Sequence, residues 1–311
     1  MELLFLLPIF LPLLTSFFLF LNKKLFNELV TNFFTLNGAL LAFAIAAYSF
    51  IALALDKFKP VNVELFQWIS NPDISIGFTL DGLSGIMLIL VTGLSFVIQL
   101  FSTSYMAKDE SHCNYFVYFN FFVFSMLLLV MSSNFLVMFF GWELVGLSSY
   151  LLISFWSKKP AAAKAGNKAF VINRIGDFGF LIGLMIILDT FNTFDFYKIL
   201  QNTSGVAEST ITSISLFLLL GAFGKSAQFP LFSWLPDAME GPTPASALIH
   251  AATMVTAGVF MLVRISPILQ HSKIASLVII VFGLTTALLA AFSAINQFDI
   301  KKVLAYSTIS Q

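Results

Sequence analysis

The sequence predicts an all-α polytopic membrane protein of about ten transmembrane helices, and two observations lead to this fold class. The first is composition. Of the 311 residues, 59% are hydrophobic and only 10% are charged, whereas soluble domains carry about 25% charged residues. The second is a series of long apolar segments between short polar loops. Because backbone groups in lipid must pair within their own segment, we expect each segment to be a helix.

The first apolar segment, 3–21, has no basic residues before it and no small-residue cleavage site, and Lys23 and Lys24 follow it at once. This pattern predicts an uncleaved anchor and not a signal peptide. The seventh span is interrupted at Pro230, and the tenth begins near Val303 and is cut short at Gln311. The spans between the first and the last are predicted at 30–54, 83–104, 114–132, 135–155, 166–188, 211–239, 244–265 and 274–293.

A β-hairpin is predicted over 61–80, between the second and third spans. Apolar and polar residues alternate on both sides of Asn71-Pro72-Asp73, a sequence typical of turns. We expect the hairpin to cap the outer surface of the bundle. Asp81 or Ser84 is then the N-terminal cap of the third helix.

The basic residues predict the orientation in the membrane. With Lys23 and Lys24 inside, the N-terminus lies on the outer, periplasm-like side, and the spans alternate from there. Eight basic residues then face inward and five outward, which favours this orientation. The inner set is Lys23, Lys24, Lys108, Lys158, Lys159, Lys164, Lys301 and Lys302, and the outer set is Lys57, Lys59, Lys198, Arg264 and Lys273.

Charge and cysteine content exclude several classes of function. Sixteen basic and sixteen acidic residues cancel, so there is no basic face for nucleic acid. Cys113 is the single cysteine, and His112, His250 and His271 are scattered. This chain alone therefore offers no disulfide, iron–sulfur cluster or zinc site. It also lacks dinucleotide-binding and phosphate-loop motifs, so redox or nucleotide energy has to come from elsewhere.

Lys225 is the most informative residue, because it lies deep in the apolar seventh span. A central lysine costs roughly 2.5 to 3.5 kcal/mol on insertion scales, which makes it a functional candidate. Pro230 lacks a backbone donor and displaces the carbonyl of residue 226, so it breaks the helix beside the lysine. Broken helices form ion sites in transporters, and Gly221 and Gly224 allow a neighbouring helix to approach. The alternative is a kinked helix whose lysine reaches the membrane surface.

Other charged residues lie in the fifth and sixth spans. Glu143 falls towards the middle of the membrane, where a proton-relay or ion-pair role competes with that of a neutral acid bonded to a neighbouring helix. Arg174 and Asp177 are three residues apart and share a helix face. They form either part of a proton path or a purely structural pair. Lys168, near the inner end, points to the surface or into the bundle.

A polar stripe is predicted on the eighth span, because Ser246, His250 and Thr253 are spaced four and three residues apart. Histidine exchanges protons near neutral pH, so the stripe indicates a proton path; a packing histidine is the alternative. The resulting hypothesis is a relay. Lys225 stores a proton, the Glu143 carboxylate controls whether it is held or released, and His250 passes it along the stripe.

These residues belong to longer motifs that resemble a known family. Gly141-Trp142-Glu143, the segment from Phe229 to Val255, and the segment from Asp299 to Thr308 resemble the antiporter-like subunits of respiratory NADH:quinone oxidoreductase, complex I. The similarity is greatest to the distal L-type subunit, the equivalent of mitochondrial chain 5. By this resemblance, five residues correspond to the family's polar residues on helices five to eight, with the lysine on the broken seventh helix. They are Glu143, Arg174, Asp177, Lys225 and His250.

The resemblance implies proton translocation coupled to quinone reduction in a bacterial plasma membrane or a mitochondrial or other organellar membrane. It implies other membrane-arm subunits as partners, and NADH, FMN, iron–sulfur clusters and quinone in partner subunits, with no cofactor on this chain. Three regions follow: helices 1–3 with the hairpin in 1–110, a proton-translocating half in 111–268, and the start of a second half in 269–311. A full L subunit is roughly twice as long, so the sequence is expected to be truncated.

Two alternatives remain open. The large subunit of multisubunit sodium/proton antiporters is similar, but that family typically has a lysine after the residues matching Met254-Val255, where this chain has Thr256. A membrane scaffold without transport activity is the alternative of a different class.

Overall fold

The computed structural model describes residues 4–55, 59–70, 72, 74–251 and 253–311. The chain forms a helical bundle with one two-stranded sheet. The helices are α1 (Leu7–Asn22), α2 (Glu28–Ala54), α3 (Gly82–Tyr105), α4 (His112–Val130), α5 (Phe135–Ile153), α6 (Pro160–Phe191), α7 (Phe196–Asn202), α8 (Glu208–Lys225), α9 (Thr243–Ala251), α10 (Met254–Arg264), α11 (Ser266–Leu269), α12 (Lys273–Ile295) and α13 (Ile300–Ser310). The strands are β1 (Val61–Ile69) and β2 (Ile74–Leu80), and three 3₁₀ turns cover Leu4–Leu6, Thr203–Gly205 and Asp237–Glu240.

The predicted fold class is confirmed. Among the described residues, eight helical segments are long and apolar enough to cross a membrane. They are Leu4–Asn22, Glu28–Ala54, Gly82–Tyr105, His112–Val130, Phe135–Ile153, Pro160–Phe191, Thr243–Arg264 and Lys273–Ile295. The predicted seventh and tenth spans correspond to α8 and α13. The chain is therefore an integral, multi-pass membrane protein. Four residues in the predicted first span, orientation and hairpin turn lie outside the described residues: Leu3, Lys57, Asn71 and Asp73.

The hairpin occurs where the sequence predicts it, and it defines one end of the bundle, called here the hairpin end. β1 and β2 pair antiparallel, from Val61 opposite Leu80 to Ile69 opposite Ile74. Asp81 caps α3 by accepting from the Ser84 backbone N–H at 2.9 Å, and the Ser84 side chain accepts from the Asp81 N–H at 2.8 Å. Both predicted cap residues thus form one reciprocal capping box.

The hairpin is held against the loops between helices at the same end. The Thr79 N–H donates to the Met131 carbonyl at 2.7 Å, and the Ser133 N–H donates to the Gly77 carbonyl at 3.2 Å. Asn134 caps α5 through its side-chain oxygen and donates its amide to the Ser75 carbonyl at 2.8 Å. One asparagine therefore starts a helix and anchors β2.

The seventh span differs from the prediction of a helix over 211–239 interrupted at Pro230. α8 ends at Lys225, and no α-helix follows between Ser226 and Pro236, a stretch that lies wholly within the described residues. Ala227 has a left-handed φ of 50°. The Gln228 N–H donates to the Phe223 carbonyl, and the Ala227 N–H to the Gly224 carbonyl. This is the Schellman pattern, so the helix ends by a normal cap.

The eighth span also differs, because the structure divides it into α9 and α10. Thr253 has φ −130° and ψ −96°, which no α-helix contains. Its hydroxyl donates to the carbonyl of Leu248, five residues earlier. Threonine side chains that bond nearby backbone compete with the helical ladder. Ser246, His250 and Thr253 therefore do not lie on one continuous helix, and the predicted stripe is wrong at Thr253.

α6 and α8 pack closely through glycines. A Cβ at Gly176 would lie 3.0 Å from the Gly224 Cα and 3.1 Å from the Leu220 carbonyl oxygen. A Cβ at Gly221 would meet the Phe180 side chain at 2.9 Å. The predicted close approach at Gly221 and Gly224 is confirmed. It brings the polar residues of α6 next to the end of α8.

Candidate functional site

Lys225 is fully buried at the last position of α8. Its Nζ lies 3.5 Å from Oδ2 of Asp177, which is also buried and belongs to α6. A buried charge is tolerated when it is paired. Because α8 ends at Lys225, the ammonium lies beside the break, as the sequence predicts. It does not reach the surface of the protein.

α5 supplies two further contacts to this pair, from residues that were not among the predicted site residues. The indole Nε1 of Trp142 donates to Oδ1 of Asp177 at 2.7 Å, and its ring centroid lies 5.9 Å from the Lys225 Nζ. A Cβ at Gly146 would lie 2.7 Å from the same Nζ. Trp142 thus hydrogen-bonds the Asp177 oxygen that Lys225 does not contact, and the missing side chain of Gly146 leaves room for the Lys225 ammonium. The Gly-Trp-Glu motif was the available signal for Trp142.

Arg174 connects Glu143 to this pair. Its Nη1 donates to Oε2 of Glu143 and lies 4.0 Å from Oδ2 of Asp177. The guanidinium also lies 4.8 Å from the centre of the Phe170 ring. The order of contacts is therefore Glu143, Arg174, Asp177, Lys225. The predicted Arg174–Asp177 pair is present at 4.0 Å, but each of the two residues has a nearer partner.

The contacts of Glu143 differ from those expected in the relay hypothesis. The structure shows an ion pair for this carboxylate, whereas one sequence alternative was a neutral acid. Side-chain exposure is 21% for Glu143 and 40% for Arg174 in this chain. Lys225 and Asp177 are buried far more completely. The carboxylate that contacts Lys225 is Asp177. The sequence hypothesis has Glu143 control the proton on Lys225, and it gives Asp177 only a supporting role beside Arg174.

The polar groups freed at the break of α8 are satisfied by neighbouring elements. The Trp234 indole donates to the Gly224 carbonyl at 3.0 Å, and the Ser226 hydroxyl donates to the Val255 carbonyl, on α10, at 2.7 Å. Such backbone is tolerated in a membrane only where protein or a water-filled cavity surrounds it. At this break, hydrogen bonds to neighbouring protein groups therefore replace those of a continuous helix.

His250 lies on α9, outside the network around Lys225. Both ring nitrogens are buried and have no hydrogen-bond partner among the described residues. The ring lines a cavity of about 140 Å³ with Ser246 and Lys301. The Ser246 hydroxyl donates within its own helix, to the Pro242 carbonyl at 3.3 Å. The structure thus brings Ser246 and His250 together but leaves Thr253 apart.

Lys168 pairs with Asp237, which is not among the predicted site residues. Its Nζ lies 2.7 Å from Oδ2 of Asp237, in the 3₁₀ turn before α9, and the two side chains are 41% and 42% exposed. This pair is at the end of the bundle opposite the hairpin. Exposed pairs contribute little stability, about 0 to 1 kcal/mol. Within the described part of the chain, no cluster of three or more His, Cys, Asp or Glu side chains could hold a metal ion.

The fold and this site define a class of multi-pass helical membrane protein in which one helix ends inside the bundle at a buried, carboxylate-paired lysine. The family comparison agrees. Residues 132–311 match the family described as "NADH:quinone oxidoreductase/Mrp antiporter, TM", and the chain belongs to that family. Residues 66–116 match the family described as "NADH-Ubiquinone oxidoreductase (complex I), chain 5 N-terminus".

Individual relatives confirm the resemblance to the L-type subunit. NADH-quinone oxidoreductase subunit L of Neisseria meningitidis serogroup B is 47% identical over 293 residues, which cover 89% of this chain and 43% of the relative. NADH-ubiquinone oxidoreductase chain 5 of Rhizopus stolonifer is 46% identical over 294 residues, covering 94% of this chain and 45% of the relative. The chain thus spans less than half the length of these relatives.

A solved structure has the same fold. The Mrp complex from Dietzia sp. DQ12-45-1b superposes with a TM-score of 0.86 and 29% identity over 97% of this chain and 33% of that chain. The similarity therefore extends to both families that the sequence analysis weighed.

Proposed function

We propose that this chain is part of a proton-translocating membrane subunit of NADH:quinone oxidoreductase, complex I. The observation that carries the proposal is the buried Lys225–Asp177 pair at the end of a helix broken inside the membrane. Identity of 46 to 47% to subunit L and chain 5 supports the choice of complex. The energy comes from quinone reduction in partner subunits, which hold NADH, FMN, iron–sulfur clusters and quinone.

In the proposed mechanism, Lys225 carries the proton and Asp177 is its counter-charge. At 4 Å and an effective dielectric of 20, two unit charges interact by about 4 kcal/mol. Arg174 competes for Asp177 because it lies 4.0 Å from the oxygen that Lys225 contacts. When Arg174 pairs with Glu143, Asp177 is available to Lys225, and the lysine holds its proton. When Arg174 moves to Asp177, Lys225 loses its counter-charge and releases the proton.

Glu143 therefore acts on Lys225 through Arg174 and Asp177. Trp142 fixes the orientation of the Asp177 carboxylate by its 2.7 Å hydrogen bond. His250, in its cavity near Lys301, receives or supplies the proton. Ser246 lines the same cavity, while Thr253 contributes by ending α9 and not by joining a stripe. Lys168 supports the turn before α9 through Asp237.

The test uses the full-length subunit in the assembled complex, in sealed vesicles. Lys225→Ala is expected to reduce proton uptake per NADH oxidised, and Lys225→Arg to retain part of it. Lys302→Ala is the matched control, because Lys302 makes no hydrogen bond or ion pair within the described ranges. Unchanged proton uptake in Lys225→Ala, with normal assembly, contradicts the proposal.

The second candidate is the large subunit of a multisubunit sodium/proton antiporter, which the likeness to the Mrp complex favours. The two functions differ in whether proton movement depends on NADH dehydrogenase partners or on sodium. Sodium-dependent proton exchange in vesicles without NADH dehydrogenase partners supports the antiporter. NADH-dependent proton uptake that is insensitive to sodium supports complex I.

A further inference from the structure

Ser226 joins the two places where helices break inside the bundle. It follows Lys225 directly as the C-terminal cap of α8, and its side chain is buried. Its hydroxyl donates to the Val255 carbonyl at 2.7 Å. Val255 is the second residue of α10 and lies two residues after Thr253, where α9 and α10 are divided. This hydrogen bond therefore connects the end of α8 to the start of α10.

α8 and α10 approach each other closely at this hydrogen bond. A Cβ at Gly258, one turn after Val255, would overlap with the Ser226 hydroxyl oxygen. It would also lie 2.9 Å from the carbonyl oxygen and 3.1 Å from the Cα of Ala222, one turn before Ser226. The two helices thus come into backbone contact beside the hydrogen bond, so tight packing defines its geometry.

The start of α10 is also joined to α9, across the second break. His250 lies in the last turn of α9, five residues before Val255. Between them, the Thr253 hydroxyl donates back to the Leu248 carbonyl in α9. The Thr253 carbonyl accepts from the Thr256 hydroxyl in α10 at 2.8 Å. Side-chain hydrogen bonds therefore hold the start of α10 to both α8 and α9.

Each break lies beside an ionisable residue of the proposed relay. α8 ends at Lys225, and His250 is one residue before the end of α9. Backbone groups at a helix end have no partner in the helical ladder, so other hydrogen bonds hold them in place. The position of Lys225 relative to His250 therefore depends on the groups that join the two breaks.

We infer that Ser226 is a positioning residue that sets where Lys225 lies relative to His250, because it joins the break after α8 to the break after α9. Its importance for proton movement rests on the proposed function, whereas the connection between the helices does not. Ser226 carries no proton in this role. Its hydroxyl is engaged with a backbone carbonyl and acts through the placement of α10.

The first measurement tests the connection itself, by amide hydrogen exchange over 248–262 in the full-length subunit of the assembled complex. Ser226→Ala removes the hydroxyl and is expected to raise exchange across the second break about fivefold, the effect of losing one buried hydrogen bond. Ser125→Ala is the matched control. Its fully buried hydroxyl donates at 2.7 Å to the Phe121 carbonyl of its own helix, so exchange over 248–262 should not change.

The second measurement separates positioning from a general loss of stability. Proton uptake per NADH oxidised is compared for Ser226→Ala, His250→Ala and the double variant in sealed vesicles. Ser226→Ala is expected to lower uptake about fivefold, because misplaced reacting groups are costly. If Ser226 acts by placing Lys225 relative to His250, the two losses are non-additive. The double variant should then lose no more uptake than His250→Ala alone.

Two further variants isolate the hydroxyl. Ser226→Thr keeps it and is expected to retain most of the uptake. Ser226→Cys replaces Ser226→Ala if the latter does not assemble, since a thiol is a weak donor. Unchanged exchange in Ser226→Ala, equal losses in the Ala and Thr variants, or losses that add to those of His250→Ala overturn the inference. Failure of the proposed function is seen separately, as unchanged proton uptake in Lys225→Ala, and the exchange measurement then decides the connection.

Discussion

At the scale of single residues, the site depends on three side chains that surround the buried carboxylate of Asp177. Asp177 accepts from Trp142 through Oδ1 and contacts Lys225 through Oδ2, and Arg174 lies 4.0 Å from the latter oxygen. One of the two cations has to stay beside the buried carboxylate, because an unpaired buried charge is costly. Small changes of position therefore have large electrostatic effects.

Gly146→Ala tests this sensitivity. The added Cβ would lie 2.7 Å from the Lys225 Nζ, and the flexible end of the lysine can move away. We expect normal assembly but proton uptake lower by about tenfold, because displacing a reacting group by about 1 Å is costly. Gly82→Ala is the control, since a Cβ there meets no atom within 4 Å. Unchanged uptake in Gly146→Ala would show that the position of the ammonium does not matter.

At the scale of elements, the two helix breaks decide where the ionisable groups lie. Pro230 and the central lysine predict the first break, and the structure has the helix end at Lys225. The left-handed Ala227 could not be predicted, because alanine has no preference for that conformation. The second break had no proline or glycine signal. The structure shows it in the backbone angles of Thr253 and in the hydrogen bond from the Thr253 hydroxyl to the Leu248 carbonyl.

Which charged residues pair between different helices could also not be predicted from the sequence. The spacing of Arg174 and Asp177 predicts their shared face, but only the packing of α5, α6 and α8 assigns Arg174 to Glu143 and Asp177 to Lys225. Periodicity identifies faces of one helix and does not rank partners on other helices. The candidates themselves, Glu143, Lys225 and His250, were predictable because charged and polar groups in apolar spans are rare.

Gly176→Ala tests the contact between α6 and α8. The new Cβ would meet backbone atoms of Gly224 and Leu220 at 3.0 and 3.1 Å, so the helices have to separate. We expect a loss of about 1 to 3 kcal/mol of stability, the usual cost of overpacking. Gly283→Ala, on α12 with no atom within 4 Å of the added Cβ, is the control for thermal unfolding of the purified complex. Equal unfolding temperatures for both variants would contradict the close packing.

At the scale of the whole molecule, the hairpin end is fastened by an ion pair between distant parts of the chain. Arg264, at the end of α10, donates through Nη1 to Oδ2 of Asp81 and through Nη2 to Oδ1 at 3.2 Å. The side chains are only 10% and 17% exposed. The pair therefore joins the start of α3 to the end of α10, the helix that follows the second break.

The acid dependence of this pair follows from Asp81. Burial raises the pKa of its carboxyl, but the hydrogen bond and charge of Arg264, together with the backbone and side-chain hydrogen bonds of Ser84, outweigh burial and hold the pKa below its ordinary value. A lowered folded-state pKa means that the stabilisation is complete above the ordinary pKa and is lost as pH falls through the lowered one. The pair therefore persists at all physiological pH values.

Asp81→Asn is expected to destabilise the hairpin end by about 3 kcal/mol, because it leaves the Arg264 charge without its partner. It should also remove the acid dependence. Amide hydrogen exchange in the first turn of α3 measures both effects, and Asp81→Asn with Arg264→Met should recover part of the protection. Exchange rates unaffected by Asp81→Asn would show that the pair does not fasten this end.

The central claim is that Lys225 moves protons with Asp177 as its immediate partner. Proton uptake per NADH oxidised, in sealed vesicles of the full-length complex, tests it through Lys225→Ala, Asp177→Asn and the double variant. Residues that act as one unit are non-additive. The account predicts that the double variant loses no more uptake than Lys225→Ala alone. Independent, additive losses from the two substitutions, or wild-type uptake in Asp177→Asn, would contradict it.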